Sequence, residues 1–406
     1  ALCGMVSGSS VGNTVTTGSV TIPMMKKTGY PGEFAGAVEA AASTGGQIMP
    51  PIMGAAAFIM AEMTGFDYSK IIVRAILPAF LYFLGIFLGV HFKAKKLGLK
   101  GLPREELPKW GKLLPKIYLL LPLVLLVYMI VSGQTMAKSA IYATIAAIAV
   151  SLINKDDRMT PTKFVNGLEN GGKNCISIGI ACGIAGIISV CITMTGLGGK
   201  LITYVVSLSN GHLIIALFLT MICCIVLGMG VPTTANYIIM ASTCAPILIN
   251  GMDMHVLAAN MFVFYFGIVA DITPPVALAA YAGSAIAKAP PMKTAFNATR
   301  LAIAAFIIPY IFAFNNAMIF VGDDVTVWSV ASITISATLG MLSIASGLMG
   351  YLIHDLKWIS RIALIAGGLL MIIPGTVSDL AGFAVLAAIF VLQTIENKKE
   401  KKATSV

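Results

Sequence analysis

Charge is what this sequence is short of. Asp, Glu, Lys and Arg make up 11% of its 406 residues, against roughly 25% in soluble domains. An ordinary soluble globular domain is thereby excluded. What charge there is leans basic, at +10, but it sits in short loops between apolar segments, as the positive-inside bias requires. It does not spread into a binding face, so we expect no nucleic acid partner. Histidine is scarce too: the four (His91, His212, His255 and His354) lie far apart, with none three or four residues from another. The seven cysteines fall inside apolar stretches without CxxC spacing, which fits small helix-packing residues rather than a disulfide frame or zinc site. There is no HExxH helix, no aspartate in the apolar spans to pair with Asp271, and no histidine near the serines at 7–10. The usual intramembrane hydrolase arrangements are therefore missing, and we expect no enzyme. Also lacking are an initiator methionine and a signal-peptide pattern. From that we expect an N-terminal portion missing from a longer chain.

What is there is hydrophobic length. Ile71–Phe92, Leu113–Val131, His212–Gly230, Leu301–Val321 and Val325–Ile353 each reach about the 20 residues that cross a bilayer as a helix. The expected class is an all-α polytopic membrane protein. The basic loops Lys93–Lys112 and Asn154–Lys163 and the tail "ENKKEKK" belong on the cytoplasmic side. Between the first two, Leu113–Val131 and Ser139–Ile153 form a pair joined by "SGQTMAK". Lys288, Lys293 and Arg300 precede a span ending at the acidic "GDD" of 322–324, and Val325–Ile353 returns from it. Ile362–Ile373 and Leu380–Leu392 then go out and back.

Two regions, Gly4–Gly65 and Leu227–Ala289, do not read as plain spans, being rich in Gly, Pro, Ser, Thr and Asn yet flanked by apolar helices. Broken backbone at membrane depth survives only when buried in protein or lining a cavity. The two regions also repeat each other. Asn13 and Pro23 are ten apart, as are Asn236 and Pro246, and Ala35 and Ala258 keep the same offset of 223 residues. After one extra residue Pro50-Pro51 meets Pro274-Pro275, "QIMPPIMGAAAF" against "DITPPVALAAYA". This order points to an internal duplication. Paired broken segments in two halves mark a transporter's binding site. A helix N-terminus suits a carboxylate, and loosened carbonyls suit a cation. The organisation expected is 1–65 for a first broken-helix half, 66–210 for scaffold-type spans, 211–320 for the second half, and 321–406 for extra C-terminal spans.

At these residues the sequence resembles a known family. "SGSSVGNTVTTGSVTIPMMKKTGYPGEFAGAVEAAASTGGQIMPPIMGAAAFIMAE", "GMGVPTTANYIIMASTCAPIL" and "ADITPPVALAAYAGSAIA" resemble the large membrane subunit of tripartite ATP-independent periplasmic (TRAP) transporters over roughly residues 1–320. The GNT wording and the spans after about residue 325 look most like fused permeases of the TAXI branch. The resemblance implies an elevator-type transporter of the inner (cytoplasmic) membrane, with inverted repeats and two re-entrant hairpins. It implies symport of an organic anion, typically a carboxylate, with Na+ or H+, and no other cofactor. The partners implied are a periplasmic substrate-binding protein and a four-helix small-subunit region. On that analogy Gly4–Ile48 contains the first hairpin and Thr233–Asn250 the second. The candidate substrate and cation ligands are Ser7, Ser9, Ser10, Asn13, Thr233, Thr234, Asn236, Asp271 and Thr273. Pro50, Pro51 and Pro275 mark the breaks, and any Na+ site would share the hairpin residues.

Some single residues admit two readings. Asp271 is either a cation or proton ligand, or a cap on a helix break. Glu39 could titrate during coupling, or face scaffold or water. Lys26 and Lys27 fit solvated or headgroup-facing lysines better than substrate ligands, Arg74 fits a snorkelling cation, and Met49, Met53, Met60 and Met63 fit adjustable packing surface. A channel remains the rival class. Coupling discriminates, because only a transporter concentrates its solute.

Overall fold

The computed structural model describes residues 2–101, 111, 114–153, 158–322, 325–372 and 375–403. Among them the chain is helical, with an isolated bridge between Tyr351 and Asp355 and no strand. That is the expected outcome for a chain which must satisfy its backbone groups in lipid. Six helical stretches are long and apolar enough to cross a membrane. The chain is a multi-pass membrane protein. The acidic turn at 323–324 and most of the basic loops at 102–113 and 154–157 lie outside the described residues.

The first half comprises α1 (Leu2–Ser7), α2 (Ser10–Lys27), α3 (Gly32–Gly46), α4 (Ala55–Thr64) and α5 (Tyr68–Lys96). A middle group follows: α6 (Leu121–Val131), preceded by a 3-10 turn over Leu114–Leu120, then α7 (Met136–Ile153), α8 (Pro161–Met194) and α9 (Leu197–Ser209). The second half runs through α10 (Leu213–Gly228), α11 (Thr233–Thr243), α12 (Ala245–Met252), α13 (Val256–Val269), α14 (Leu278–Ala287), α15 (Pro291–Leu301) and α16 (Ile303–Phe314). The C-terminal group is α17 (Val327–Met349), α18 (Trp358–Leu370) and α19 (Thr376–Ala403). α17 packs on α5 and on α18, which in turn packs on α19.

The duplication is visible in the backbone. α2 and α11 start 223 residues apart; α3 ends just before a non-helical break, and α13 passes through a 3-10 turn (Ala270–Ile272) into another. Each break holds a cis bond between its prolines, and each carries a left-handed residue at the same place, Met53 (φ 56) and Ala277 (φ 35). An asparagine ties each hairpin arm to the helix that leads into the proline break. Asn13 Nδ2 donates to Ser43 Oγ at 2.8 Å, and Asn236 Nδ2 donates to the Gly267 carbonyl at 3.0 Å. The two bonds span 30 and 31 residues, which repeats the single-residue offset of the prolines.

The halves meet where α3 crosses α14. A Cβ on Gly36 would lie 2.9 Å from the Gly283 carbonyl oxygen, and one on Gly283 only 2.6 Å from that of Gly36. Small residues allow such close approach, a common packing device in membranes. α13 is the centre of the core: Leu257 to Val269 are all buried, as expected of a helix apolar on every side.

Three expectations change. The span expected over Leu301–Val321 starts earlier, at Pro291, and runs to Phe314. Lys293 and Arg300 lie within α15, not in a loop, because α15 is amphipathic and buries Thr294, Ala295, Ala298 and Leu301. The second hairpin extends beyond Thr233–Asn250. α12 packs back on α10, so the reversal lies at 229–232 and α10 is its first arm. Lys26 is exposed, and its Nζ also donates to the Ala287 carbonyl at 2.8 Å, capping the end of α14 across the repeat boundary.

Candidate functional site

Each hairpin reverses at a tip ending in a helix N-terminus. In the first, the chain leaves α1, turns at Gly8 with φ +63, and starts α2 at Ser10. Ser9 caps α2, its Oγ accepting from the Gly12 N–H at 3.1 Å. Gly8 has a second constraint, since its Cβ position is 3.1 Å from the Cα of Gly54 in the proline break. In the second, Gly230 (φ +78) turns the chain into Pro232, which precedes α11.

These tips border one cavity of about 1070 Å³. From the first tip Ser9, Ser10 and Asn13 line it, and from the second Thr233 and Thr234. Asp271 faces it from the 3-10 turn at the end of α13. Thr16 and Thr17 extend the polar wall, Cys3, Ala55 and Leu278 complete it, and Leu120 and Leu123 close it from the middle group. The first backbone N–H groups of a helix have no intrahelical partner and carry a partial positive charge. Two such ends converge here on one space.

Asp271 is buried, with 8% of its surface exposed. Its Oδ2 accepts from Ser10 Oγ at 2.5 Å, so a carboxylate of the second half is held by a hydroxyl of the first. A carboxylate in such surroundings is expensive unless something compensates it. Two helix N-termini beside a carboxylate suit an anion and a cation held together, where neither alone would be neutralised.

The expected site residues divide. Ser9, Ser10, Asn13, Thr233, Thr234 and Asp271 come together at the cavity. The side chain of Ser7, which ends α1, lies outside the described residues. Asn236 points away from the cavity into the core: its Nδ2 binds Gly267, and its Oδ1 is buried without a partner. Thr273 turns its hydroxyl back to the Val269 carbonyl at 2.8 Å, closing the end of α13. Pro50, Pro51 and Pro275 shape the breaks without lining the cavity. Their carbonyls are partly taken: Tyr68 donates its hydroxyl to Pro51 and Ile52, and Tyr281 donates to Pro275.

Gln47 is the residue that sequence reasoning passed over. It is the counterpart of Asp271 in the aligned "QIMPP" and "DITPP", and that alignment was the signal that could have found it. Its side chain is 1% exposed, and neither amide atom has a partner. Thr44 Oγ1, one turn earlier, is equally unpartnered. Arg74, part-exposed near the start of α5, holds its guanidinium 5.3 Å from the Phe66 ring centroid, with Nη1 buried.

The family of the Tripartite ATP-independent periplasmic transporter, DctM component, matches residues 1–323. The chain belongs to that family. It is 26% identical over 294 residues to an uncharacterized protein, y4mL, of Sinorhizobium fredii, covering 71% of this chain and 68% of that protein. It is 25% identical over 293 residues to the C4-dicarboxylate TRAP transporter large permease protein DctM of Pseudomonas aeruginosa, covering 70% of this chain and 66% of that protein. The chain thus spans about two thirds of the length of the curated relatives it matches. The DctM match takes in both hairpins and ends after α16, and α17–α19 lie beyond it. The match agrees in extent with the resemblance read from the sequence over roughly residues 1–320.

Proposed function

We propose that this chain is the permease of a secondary active transporter that imports an organic anion, a carboxylate, with a cation gradient. One observation carries the reading: the N-termini of α2 and α11 and the carboxyl of Asp271 border a single cavity at the junction of two repeated halves. The backbone ends supply fixed positive charge for the solute's carboxylate. Asp271 and the hydroxyls of Ser10 and Thr233 supply hard oxygens for a cation. The printed name of the Pseudomonas relative supports a C4-dicarboxylate as the solute.

Solute and cation bind together in this scheme, because each offsets the charge the other brings into a low-dielectric site. The two halves then move as one elevator body against the remaining helices, with Leu120 and Leu123 on the stationary side of the cavity. A periplasmic binding protein delivers the solute, and a four-helix small-subunit region completes the complex in the cytoplasmic membrane of its cell. The GNT wording and the helices after α16 support placement in the TAXI branch.

The test is uptake of labelled succinate into proteoliposomes holding the full-length protein, with its binding protein supplied outside. Uptake is expected only with the binding protein and an imposed ion gradient. Accumulation that survives collapse of both the sodium and the proton gradients would sink the mechanism.

A further inference from the structure

The first half holds a second buried carboxyl group that the cavity does not include. Glu39 lies in the middle of α3 with 7% of its surface exposed. Its Oε1 accepts from Thr17 Oγ1 in a close contact and from Ser43 Oγ at 3.4 Å, and its Oε2 accepts from Thr21 Oγ1 at 2.5 Å. Among the described residues no Lys, Arg or His lies within ion-pair distance of it. Several charged and titratable groups of the elements packed on α3 have partners elsewhere, and Lys93 of α5 lies over the Phe34 ring. From α2, Lys26 binds the Ala287 carbonyl; from α5, Tyr82 binds the Ala41 carbonyl. Tyr281 of α14 binds Pro275, and Asp271 binds Ser10. Lys293 and Arg300 lie on α15, and neither pairs with Glu39.

The surroundings of this carboxyl are built from groups whose polarity can be reversed. A hydroxyl has one proton to give and lone pairs to accept with. Thr17 Oγ1 is also 2.8 Å from the Asn13 carbonyl, and Thr21 Oγ1 is 3.0 Å from that of Thr17. When Glu39 is ionised, both threonine protons turn to it. When it is protonated, its O–H donates to a threonine oxygen, and that threonine's proton swings back to its own helix carbonyl. The same heavy-atom frame serves both states, and only hydrogens move. A lysine or a backbone N–H as partner would favour the charged form alone.

The carboxyl is also wired to the cavity. Thr17 is half-exposed and lines the cavity. Asn13 Nδ2 also donates to Ser43 Oγ at 2.8 Å, which leaves the Ser43 proton free to point at Glu39. We propose that Glu39 is a proton-binding site of the first hairpin half, loaded from the cavity through Thr17, and that its occupancy couples transport to a proton gradient. In the loading step a hydronium in the cavity gives a proton to Thr17 Oγ1 as the proton of Thr17 passes to Oε1. The hydronium becomes water, the carboxylate becomes a carboxylic acid, and Thr17 ends unchanged. The coupling clause rests on the transport reading above; the proton site does not.

The decisive measurement is the infrared difference spectrum of the purified full chain in nanodiscs, recorded against pH without any solute. The carbonyl stretch of a buried carboxylic acid is expected to appear as pH falls. It should be lost in Glu39→Gln and kept in Asp271→Asn. Thr21→Val keeps the shape and removes one of the hydroxyls bonded to the carboxyl, so the carbonyl band should move in frequency. A band untouched by Glu39→Gln, or a band frequency unmoved by Thr21→Val, overturns the site. In proteoliposomes, succinate uptake should rise with an inward proton gradient in the natural chain and show a flat pH profile in Glu39→Gln. An unchanged profile overturns the coupling clause. If the band behaves as expected but the natural chain carries no carboxylate, the proton site stands and the transport reading falls.

Discussion

The bond between Ser10 and Asp271 joins the two halves at the cavity, and its contribution can be worked out before it is measured. Ser10 is 2% exposed and Asp271 8%, so water does not replace the hydroxyl once it is gone. Ser10→Ala removes the donor and leaves a buried carboxylate with less compensation. A hydrogen bond to a charged group contributes about 1.5–3 kcal/mol, against roughly 1 kcal/mol between neutral groups. Asp271→Asn removes the charge and retains an oxygen that can still accept from Ser10. The assay is equilibrium unfolding of the purified chain in mixed detergent micelles, for the natural chain, both single variants and the double variant. An ionised Asp271 requires Ser10→Ala to cost about 2 kcal/mol alone and about 1 kcal/mol or less in the Asp271→Asn background. The coupling in the cycle is then about 1 kcal/mol or more, above the few tenths expected of independent sites. If the two changes simply add, or Ser10→Ala costs under about 0.5 kcal/mol, the halves are not held together by this bond and the assignment of a charged Asp271 is wrong.

Gly283→Ala should destabilise the chain by about 1–3 kcal/mol, because its methyl would meet backbone 2.6 Å away that cannot rotate aside. Gly179→Ala on α8 meets nothing within 4 Å and should be neutral or stabilising by up to about 1 kcal/mol through helix propensity alone; equal effects at the two positions in the same unfolding assay would refute the crossing. Cys3 borders the cavity and is exposed, so with Cys175, Cys182, Cys191 and the part-exposed Cys223 replaced by alanine it should react with a membrane-permeant thiol reagent, more slowly when succinate is present. The buried Cys224 and Cys244 should stay unmodified, and a Cys3 that fails to react would remove it from the cavity wall.

The sequence was most informative where backbone chemistry dictates the shape. Two proline pairs at a matched offset cannot both continue a helix, and the breaks, the helix starts at Ser10 and Thr233 and the cavity between them follow from that. It was least informative where the outcome depends on rotation about a helix axis. Thr233, Thr234 and Asn236 share one helical turn and similar polarity, yet the threonines line the cavity while Asn236 turns inward to Gly267. Ligand chemistry alone does not distinguish them. Lys293 and Arg300 misled for a related reason. Charge counted along the chain suggests a loop, and only the spacing of Thr294, Ala295, Ala298 and Leu301 shows one face buried and the other free. Lys26 is a third case, because its partner carbonyl, Ala287, is 261 residues away.

The duplication also exposes where the halves have ceased to be equivalent. Ser10 answers to Thr233 and Asn13 to Asn236, so the helix ends and their hydroxyls are retained on both sides. The carboxyls are not retained. Asp271 stands opposite Gln47, and Glu39 stands opposite Phe262, which is wholly buried. Each half therefore carries one buried acidic group where its partner has a neutral side chain. Two equivalent carboxyls facing one cavity would repel each other and titrate as a pair. Placing one at the junction, against the other half's hydroxyl, and one inside a single hairpin, among its own threonines, separates their environments. In the scheme proposed above Asp271 answers to what occupies the cavity and Glu39 to the proton, and the hydroxyls of α2, with Ser10 on the first and Thr17 on the second, are the element that would link the two.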